Sequence, residues 1–340
     1  MNTPPLVSVI LPVYNVQKHL VHCLNSLSAI DYAPLEIILV DDASTDECGM
    51  LCEEFRKSHP AVTVIHHDRN LGVSCARITG YDASRGDFIM FVDPDDYVHP
   101  AIVSRMVISA LANQADIVCC QIYDTLGEIK KVLPGSLFGV FHKDDLAGRF
   151  QSNLLFNSFY QNSSMPLYIF GKLFRRELLE RSLRLGEGLH YGEDTLTVVD
   201  YLLNRTETLV CLDDPLYYYV NHPGQVTAKP LLELWPFLLP YWRRMDALGG
   251  DLFFQQLAVR IWIRLKPSVY DKPEIWGGVW RNNGFIRMFR EVRNESLLKK
   301  YLWNNPGLSR SIRRHPHYFL LKHRLYYLDY FLYYLLWLRK

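Results

Sequence analysis

The chain lacks the signatures that would assign it to several common classes of protein. No Gly-x-Gly-x-x-Gly follows the first predicted strand, which argues against the usual dinucleotide-binding fingerprint, and no Gly-x-x-x-x-Gly-Lys-Ser/Thr loop is present, which excludes a P-loop enzyme. The seven cysteines include no Cys-x-x-Cys pair, so core thiols are favoured over a disulfide framework or a zinc site. Residues 1–5 lack the basic and apolar regions of a signal peptide, and a cytoplasmic start is expected.

Charge is distributed unevenly along a chain whose net charge is only +1. Residues 281–340 contain 13 Lys and Arg against 3 Asp and Glu, so the preceding part of the chain is net negative. A length of 340 residues with 49% hydrophobic residues allows one large domain with an addition, or two domains. The two oppositely charged parts are therefore expected to face different surroundings.

Strand-like and helix-like patterns alternate along the first part of the chain. Runs rich in Val and Ile predict strands at Leu6–Val13, Leu35–Val40, Val62–Ile65, Asp87–Val92 and Asp116–Gln121. Apolar residues at helical spacing predict helices over Val16–Ala29, Glu47–Ser58, Gly72–Ser84 and Pro100–Asn113. This βαβα order predicts an α/β fold with a Rossmann-like, mostly parallel sheet flanked by helices.

Acidic residues follow two of the predicted strands. Asp41-Asp42 ends the second strand, and Asp93-Pro94-Asp95-Asp96 follows the fourth. Ligands of parallel sheets bind beyond the carboxyl ends of the strands, where Pro12–Asn15 also lies. Clustered carboxylates resist burial unless a cation offsets them, and Mg²⁺ is usually held by one or two carboxylates plus phosphate oxygens. The alternative for the second cluster is an acidic turn that caps the helix near Pro100.

An ordered set of segments resembles the successive signatures of family 2 glycosyltransferases with the GT-A fold. The first five are Val7–Asn15, Val40–Asp46, Asn70–Arg77, Gly86-Asp87 and Asp93–Asp96. Three more, Gly171–Arg176, Gly192–Asp194 and Pro215–Tyr219, extend the resemblance to about residue 228. Asp-x-Asp alone is common by chance, whereas the whole set in this order is specific.

The resemblance implies an inverting, metal-dependent glycosyltransferase, either a hexosyl- or an N-acetylhexosaminyltransferase. Its donor would be a nucleotide-sugar, and the family most often uses a UDP-sugar. Its acceptor would be a hydroxyl of a bacterial cell-surface glycan such as capsule or lipooligosaccharide, and the glycan could be free or lipid-linked. Mn²⁺ or Mg²⁺ would be the cofactor, and no nucleic acid partner is implied. Two alternatives remain: a non-catalytic glycan-assembly subunit that retains the GT-A fold, and a receiver-like signalling domain.

The family's site positions can be carried over residue by residue. Nucleotide-sugar binding maps to seven positions, namely Pro12, Tyr14, Asn15, Asp42, Arg77, Asp93 and Lys172. Asp41 is expected to orient the loop that follows it. Metal binding maps to Asp95 as the principal ligand, with Asp93 and His222 as further candidates, and Asp96 is a weaker one.

A second acidic motif, Gly192-Glu193-Asp194, resembles the family's catalytic base region. The acceptor hydroxyl must lose its proton as it attacks the anomeric carbon, so a carboxylate within hydrogen-bond reach is required as general base. Asp194 matches that base, with Glu193 as its neighbour and substitute. The alternative is a helix N-cap before the apolar run Leu196–Leu203, and both roles are compatible.

Three of these residues carry open alternatives. Arg77 would contact a phosphate of the donor or pair with a surface acid. His222 would reach the metal or the diphosphate, or be structural, as lone histidines usually are. Lys172 would contact donor or acceptor, or pack its stem beneath the site.

The predicted organisation is a GT-A catalytic domain over residues 1–228 and a helical, basic and aromatic region over 229–340. Within the first, residues 1–125 form the nucleotide-binding part and 126–228 the acceptor part. The tail 317–340 combines nine aromatic residues with basic ones, which favours a helix at the membrane interface over a membrane span. A peripheral position at the inner face of the plasma membrane is therefore expected, with a buried helix or an oligomer contact as the alternative.

Overall fold

The computed structural model describes residues 3–126, 129–132, 138–145, 167–221, 236–248, 295–296 and 299–303. The chain divides into two compact units. The first comprises residues 1–154 and 162–223, and the second comprises 155–161 and 224–340. The predicted domain boundary at residue 228 and the division at residue 125 stay predictions.

The first unit is built on one mixed sheet to which ten strands of the described residues contribute. They are β1 (Val7–Val13), β2 (Leu35–Asp41), β3 (Val62–His66), β4 (Phe88–Phe91), β5 (Tyr97–Val98), β6 (Ile117–Leu126), β7 (Ile129–Val132), β8 (Gly139–His142), β9 (Lys172–Arg175) and β10 (Thr208–Val220). The strand order is β3-β2-β1-β4-β9-β6-β10-β5, while β7 pairs with β6 and β8 with β10. The α/β prediction is confirmed.

In the described part of the first unit, six helices of at least nine residues accompany this sheet. They are α1 (Gln17–Ser28), α2 (Cys48–Ser58), α3 (Val73–Ala83), α4 (Ile102–Asn113), α5 (Arg176–Arg184) and α6 (Glu193–Asn204). In the second unit the structure describes a helix at 236–248, named α7, and a π-helical turn at Lys299–Trp303. No helix of the described residues is both long and apolar enough to cross a membrane.

The first four strands run in parallel, and β1, β2 and β4 are buried on both faces. β1 pairs with β2 and β4, and every residue of β1 and β4 is buried. The sequences of such strands are continuous apolar runs because helices cover both faces of the sheet. Gly80 of α3 permits this packing, since a Cβ there would lie 2.3 Å from Cγ2 of Ile10. The parallel arrangement brings the carboxyl ends of these strands to one edge of the sheet.

β9 enters the sheet between β4 and β6 and runs antiparallel to both. Leu173 pairs with Met90 on one side and with Val118 on the other. Because β9 is reversed, its first residue, Lys172, lies towards the carboxyl end of β4 and pairs with Cys119 near the start of β6. The sheet therefore joins the nucleotide-binding and acceptor parts predicted from the sequence into one continuous core.

Candidate active site

The carboxyl ends of β1 and β2 lie side by side. Val13 pairs with Asp41, and the backbone N–H of Asp42 donates to the carbonyl of Val13 at 2.8 Å. Pro12 is buried within β1, whereas Tyr14, just beyond its end, is 43% exposed. The structure therefore brings Pro12, Tyr14 and Asp42, three of the predicted donor-binding residues, to one edge.

Asn15 shapes the turn that leaves this edge. Its φ is +50°, a left-handed conformation that Asn adopts more readily than most residues. Its side-chain oxygen accepts a hydrogen bond from the N–H of Thr45 at 2.8 Å, and its own N–H donates to Oγ of Ser44 at 3.2 Å. Asn15 thereby fixes the loop between β2 and α2 against the end of β1.

Asp42 organises the segment that leads into α3. Its buried carboxylate accepts hydrogen bonds from the N–H groups of Leu71 and Gly72, both at 2.8 Å, and lies 2.7 Å from Nδ1 of His67. An ionised carboxylate offers about four acceptor positions, so these three contacts leave little capacity for others. In the described structure Asp42 therefore holds the Asn70–Arg77 segment against the end of β2.

Asp41 acts on the loop that follows it. One carboxylate oxygen accepts a hydrogen bond from the N–H of Ser44 at 3.0 Å, and the other lies 2.9 Å from Nδ1 of His66. The hydrogen bond with Asp41 raises the pKa of His66 above its ordinary value, and a second one with Glu53 adds to the effect. These contacts correspond to the loop-orienting role expected of Asp41.

Arg77, in α3, joins the two acidic motifs. One terminal nitrogen donates to Oδ1 of Asp93 and the other to Oε1 of Glu193, both at 2.9 Å. The side chain is only 5% exposed, and within the described part of the chain its Nε has no hydrogen-bond partner. Arg77 does pair with acids, but these are half-buried acids of the two motifs, whereas the sequence suggests a surface acid or a phosphate.

The turn after β4 places its acids in different surroundings. Asp93 pairs with Arg77, Asp95 is half-buried, and Asp96 is 1% exposed. Oδ2 of Asp96 accepts the hydroxyl hydrogen of Tyr217 at 2.7 Å. The side chain of Asp96 is therefore buried and hydrogen-bonded to the protein core, whereas Asp93 and Asp95 are partly exposed to solvent.

Burial raises the pKa values of two of these acids. For Asp93 burial and the charge of Asp95 raise the pKa, and the guanidinium of Arg77 opposes them. For Asp96 burial comes first and the charges of Asp93 and Asp95 follow, so its pKa lies well above the ordinary range. The turn is a concentration of negative charge that favours binding of a cation.

The second acidic motif begins α6. Gly192 has a left-handed φ of +78° and is the N-cap, so Glu193 and Asp194 occupy the first turn of the helix. Negative charge is favourable at this end because unpaired backbone N–H groups point out of it. Burial and the charge of Asp194 raise the pKa of Glu193 to about 7, against the opposing charge of Arg77. The helix-start interpretation of this motif therefore holds, with the cap at Gly192.

The described residues contain no group of three or more His, Cys, Asp or Glu side chains arranged to hold a metal ion. Mg²⁺ usually retains water and is bound by one or two carboxylates together with substrate phosphates. Asp95 and Asp93 provide such a pair in a strongly acidic setting, and this fits a metal that arrives with a diphosphate. His222, the third predicted ligand, lies outside the described residues.

Lys172 lies beside two thiols. It pairs with Cys119 across β9 and β6, and Cys119 pairs with Cys211 across β6 and β10. Burial acts to raise the pKa of Cys119, but a hydrogen bond with Cys211 and the charge of Lys172 outweigh it and lower the pKa. Lys172 is 1% exposed, and the described contacts do not bring it into the carboxylate network.

Two residues of the site were not predicted from the sequence. His67 supports Asp42, and its position directly after β3 is the signal that was available. Tyr217 lies within the family signature Pro215–Tyr219, but the resemblance assigns it no role. Its hydroxyl accepts a hydrogen bond from the N–H of Asp93 at 3.1 Å, although the two residues are 124 positions apart. No local sequence pattern predicts a contact at that separation.

Known proteins resemble this chain in sequence and in fold. Residues 8–183 match the family model described as "Glycosyl transferase family 2". The chain is 34% identical over 229 residues to "Uncharacterized glycosyltransferase EpsJ" of Bacillus subtilis (strain 168), covering 66% of this chain and 64% of EpsJ. It is 29% identical to the poly(ribitol-phosphate) beta-glucosyltransferase of Bacillus spizizenii, covering 64% of this chain and 33% of that protein.

Among solved structures, S. aureus TarS 1–349 in complex with UDP-GlcNAc superposes with a TM-score of 0.65 at 20% identity. The superposition covers 93% of this chain and 87% of TarS 1–349, and at that identity it shows a shared fold. The family model covers more than half of the chain and includes β1 to β4 and the acidic turn after β4. The chain therefore belongs to glycosyl transferase family 2.

Proposed function

We propose that this glycosyltransferase is an inverting, metal-dependent enzyme that transfers a hexose or an N-acetylhexosamine from a UDP-sugar. The observation that supports this best is the Arg77 bridge, because it holds the acidic turn after β4 and the start of α6 in one site. Inverting transfer needs a base near the acceptor hydroxyl and charge stabilisation at the leaving diphosphate, and carboxylates can serve the first directly and the second by holding a metal.

The start of α6 serves the acceptor side. Asp194 accepts the proton of the acceptor hydroxyl while the oxygen attacks the anomeric carbon. Glu193 is held by Arg77 at 2.9 Å, and this contact orients the first turn of α6. The preorganised turn keeps Asp194 in place without rearrangement when the acceptor binds.

The turn after β4 serves the donor side. Asp95, with Asp93, would hold the Mn²⁺ or Mg²⁺ ion, and such an ion neutralises charge on a departing diphosphate. Arg77 keeps the carboxylate of Asp93 oriented. The loops that Asn15 and Asp42 fix by hydrogen bonds would contact the nucleotide. UDP as the nucleotide is supported by the TarS complex with UDP-GlcNAc, which shares the fold.

A hydroxyl of a bacterial cell-surface glycan is the proposed acceptor, and the inner face of the plasma membrane is the proposed location. The related poly(ribitol-phosphate) beta-glucosyltransferase supports the acceptor class through its name. The location is supported by the 13 basic against 3 acidic residues of 281–340, a balance that attracts a chain to anionic lipid.

Two substitutions test the proposal. Asp95→Asn is expected to abolish Mn²⁺-dependent binding of UDP, measured by calorimetry. Asp194→Asn is expected to preserve that binding and to lower transfer by about 10²–10⁴-fold, because the general base is lost. Transfer is measured as UDP release in a screen of UDP-sugars with glycan acceptors.

Asp213→Asn, at an exposed position hydrogen-bonded to Gln121, is the matched control and should change neither quantity. An unchanged rate of sugar transfer in Asp194→Asn would show that Asp194 is not the general base. Binding of UDP by Asp95→Asn with unchanged Mn²⁺ dependence would contradict the metal assignment.

A further inference from the structure

Asp96 and Tyr217 form a buried bridge between the acidic turn and the end of β10. The hydroxyl of Tyr217 donates to Oδ2 of Asp96 at 2.7 Å and accepts the N–H of Asp93 at 3.1 Å. Oδ1 of Asp96 accepts the N–H of Val220 at 2.8 Å. Asp96 is 1% exposed and Tyr217 is fully buried, so these contacts are made away from bulk water.

We propose that Asp96 and Tyr217 are positioning residues that fix the first acid of the turn, Asp93, relative to the last residues of β10. The inference rests on the proposed function, because it concerns the acids that would hold the metal and the diphosphate. It gives the third acid of the Asp93–Asp96 turn a role other than coordination.

The chemistry of the contacts supports this role. A phenol can donate one hydrogen bond and accept another at the same time, so Tyr217 links a backbone N–H to a carboxylate in a single unit. Because Asp96 accepts one hydrogen bond on each oxygen, its two contacts connect the turn to β10 at both Tyr217 and Val220. Leaving any of these buried groups without its partner would cost free energy, which resists displacement of the turn.

Packing restrains the ring that carries the hydroxyl. The ring of Tyr217 stacks on that of Phe170 with centroids 4.7 Å apart and an interplanar angle of 15°. Phe170 is buried and lies two residues before β9. The hydroxyl is therefore held by the ring stack as well as by Asp96, and the N–H of Asp93 meets an acceptor whose position is fixed.

Tyr217→Phe in the full-length protein tests the inference, because it keeps the ring and its stacking and removes only the hydroxyl. The matched control is Tyr201→Phe. Tyr201 is also fully buried, but its hydroxyl donates to the carbonyl of Asp116 at 2.8 Å, apart from the acidic turn. Both variants lose one buried hydroxyl, so a general loss of stability is common to them.

Two measurements separate positioning from stability. Hydrogen exchange read by mass spectrometry should accelerate in peptides containing Asp93 and Val220 in Tyr217→Phe and not in Tyr201→Phe. The Mn²⁺ concentration that half-saturates UDP binding should rise about tenfold or more in Tyr217→Phe, as is typical when a partner of a metal-binding group is removed. Tyr201→Phe should leave that concentration unchanged.

Asp96→Asn provides a second variant if Tyr217→Phe does not fold, and it should show the same two effects. The double variant should show no more than the larger single effect, since the two side chains act as one unit. Equal exchange and equal Mn²⁺ dependence in Tyr217→Phe and Tyr201→Phe would overturn the inference. Absence of Mn²⁺-dependent UDP binding in the unmodified protein would overturn the proposed function, and the exchange measurement would still decide whether the bridge holds the turn.

Discussion

At the scale of single residues, charge balance in the site depends on Arg77. The guanidinium is charged at every accessible pH, and it pairs with Glu193 across 116 residues of sequence. Glu193 nonetheless has a pKa raised to about 7, because burial and the charge of Asp194 outweigh the pairing. A carboxyl group that titrates near neutrality at the start of α6 makes the site sensitive to pH.

Glu193→Gln is expected to change how stability varies with pH. The pKa of Glu193 in the folded protein, about 7, lies above its ordinary value of 4.5, so the folded state holds a proton that the unfolded state releases between those values. The contribution of Glu193 to stability is therefore present below pH 4.5 and is lost as pH rises towards 7. One proton changes stability by at most about 1.4 kcal/mol per pH unit.

Urea denaturation at several pH values between about 5 and 8 measures this effect. Relative to Glu193→Gln, the unmodified protein should lose stability as pH rises to about 7 and then run parallel to the variant. The glutamine side chain retains an oxygen that can accept from Arg77, so the comparison isolates the charge. Two curves that stay parallel throughout this pH range would show that Glu193 is already ionised at its lower end.

At the scale of elements, the entry into α3 depends on backbone geometry that only glycine adopts readily. Gly72 has φ +91° and ψ +158°, a region closed to other residues, and its N–H donates to Asp42. A Cβ at this position would also lie 3.1 Å from the ring of His190. The position of Arg77 on α3 therefore depends on a glycine that precedes the helix.

Gly72→Ala is expected to lower the free energy of unfolding by about 1–3 kcal/mol, because it strains the backbone. Gly188→Ala is the matched control: its φ of +70° is also positive, but no atom of the described residues lies within 4 Å of the added Cβ. Denaturation midpoints should therefore fall further for Gly72→Ala than for Gly188→Ala. An equal loss of stability in the two variants would mean that the contact with His190 does not matter.

The first elements were predictable from the sequence because their signals are local. β1 to β4 and α1 to α4 lie within about two residues of their predicted bounds, since apolar runs and helical periodicity mark them directly. β9 was missed because a short strand that pairs with strands distant in sequence carries little signal of its own. The acids were found by their position at strand ends, whereas the contacts of Arg77, Asp96 and Tyr217 depend on packing that no spacing records.

At the scale of the whole molecule, charge separates the chain into a net negative part and a basic end. The proposed membrane contact predicts binding of the full chain to vesicles with about 30% anionic lipid, weaker at high salt. Each basic residue near such a surface contributes about 1 kcal/mol, so Lys322→Glu with Arg324→Glu should lower partitioning about tenfold or more. Vesicle flotation measures this.

Arg56→Glu with Lys57→Glu is the charge-matched control, because both residues are exposed at the end of α2. This pair should float as the unmodified protein does. If the two double variants float equally, the tail does not direct the chain to anionic lipid.

The position of β9 has a consequence for how the chain folds during synthesis. In the described sheet β9 lies between β4 and β6, and its residues Lys172–Arg175 emerge from the ribosome after both of these strands. Until then one edge of β4 has unpaired backbone groups on a wholly apolar strand, a surface that invites association with other chains. The interval between synthesis of β4 and arrival of β9 is thus the period in which the nascent protein most needs protection from aggregation.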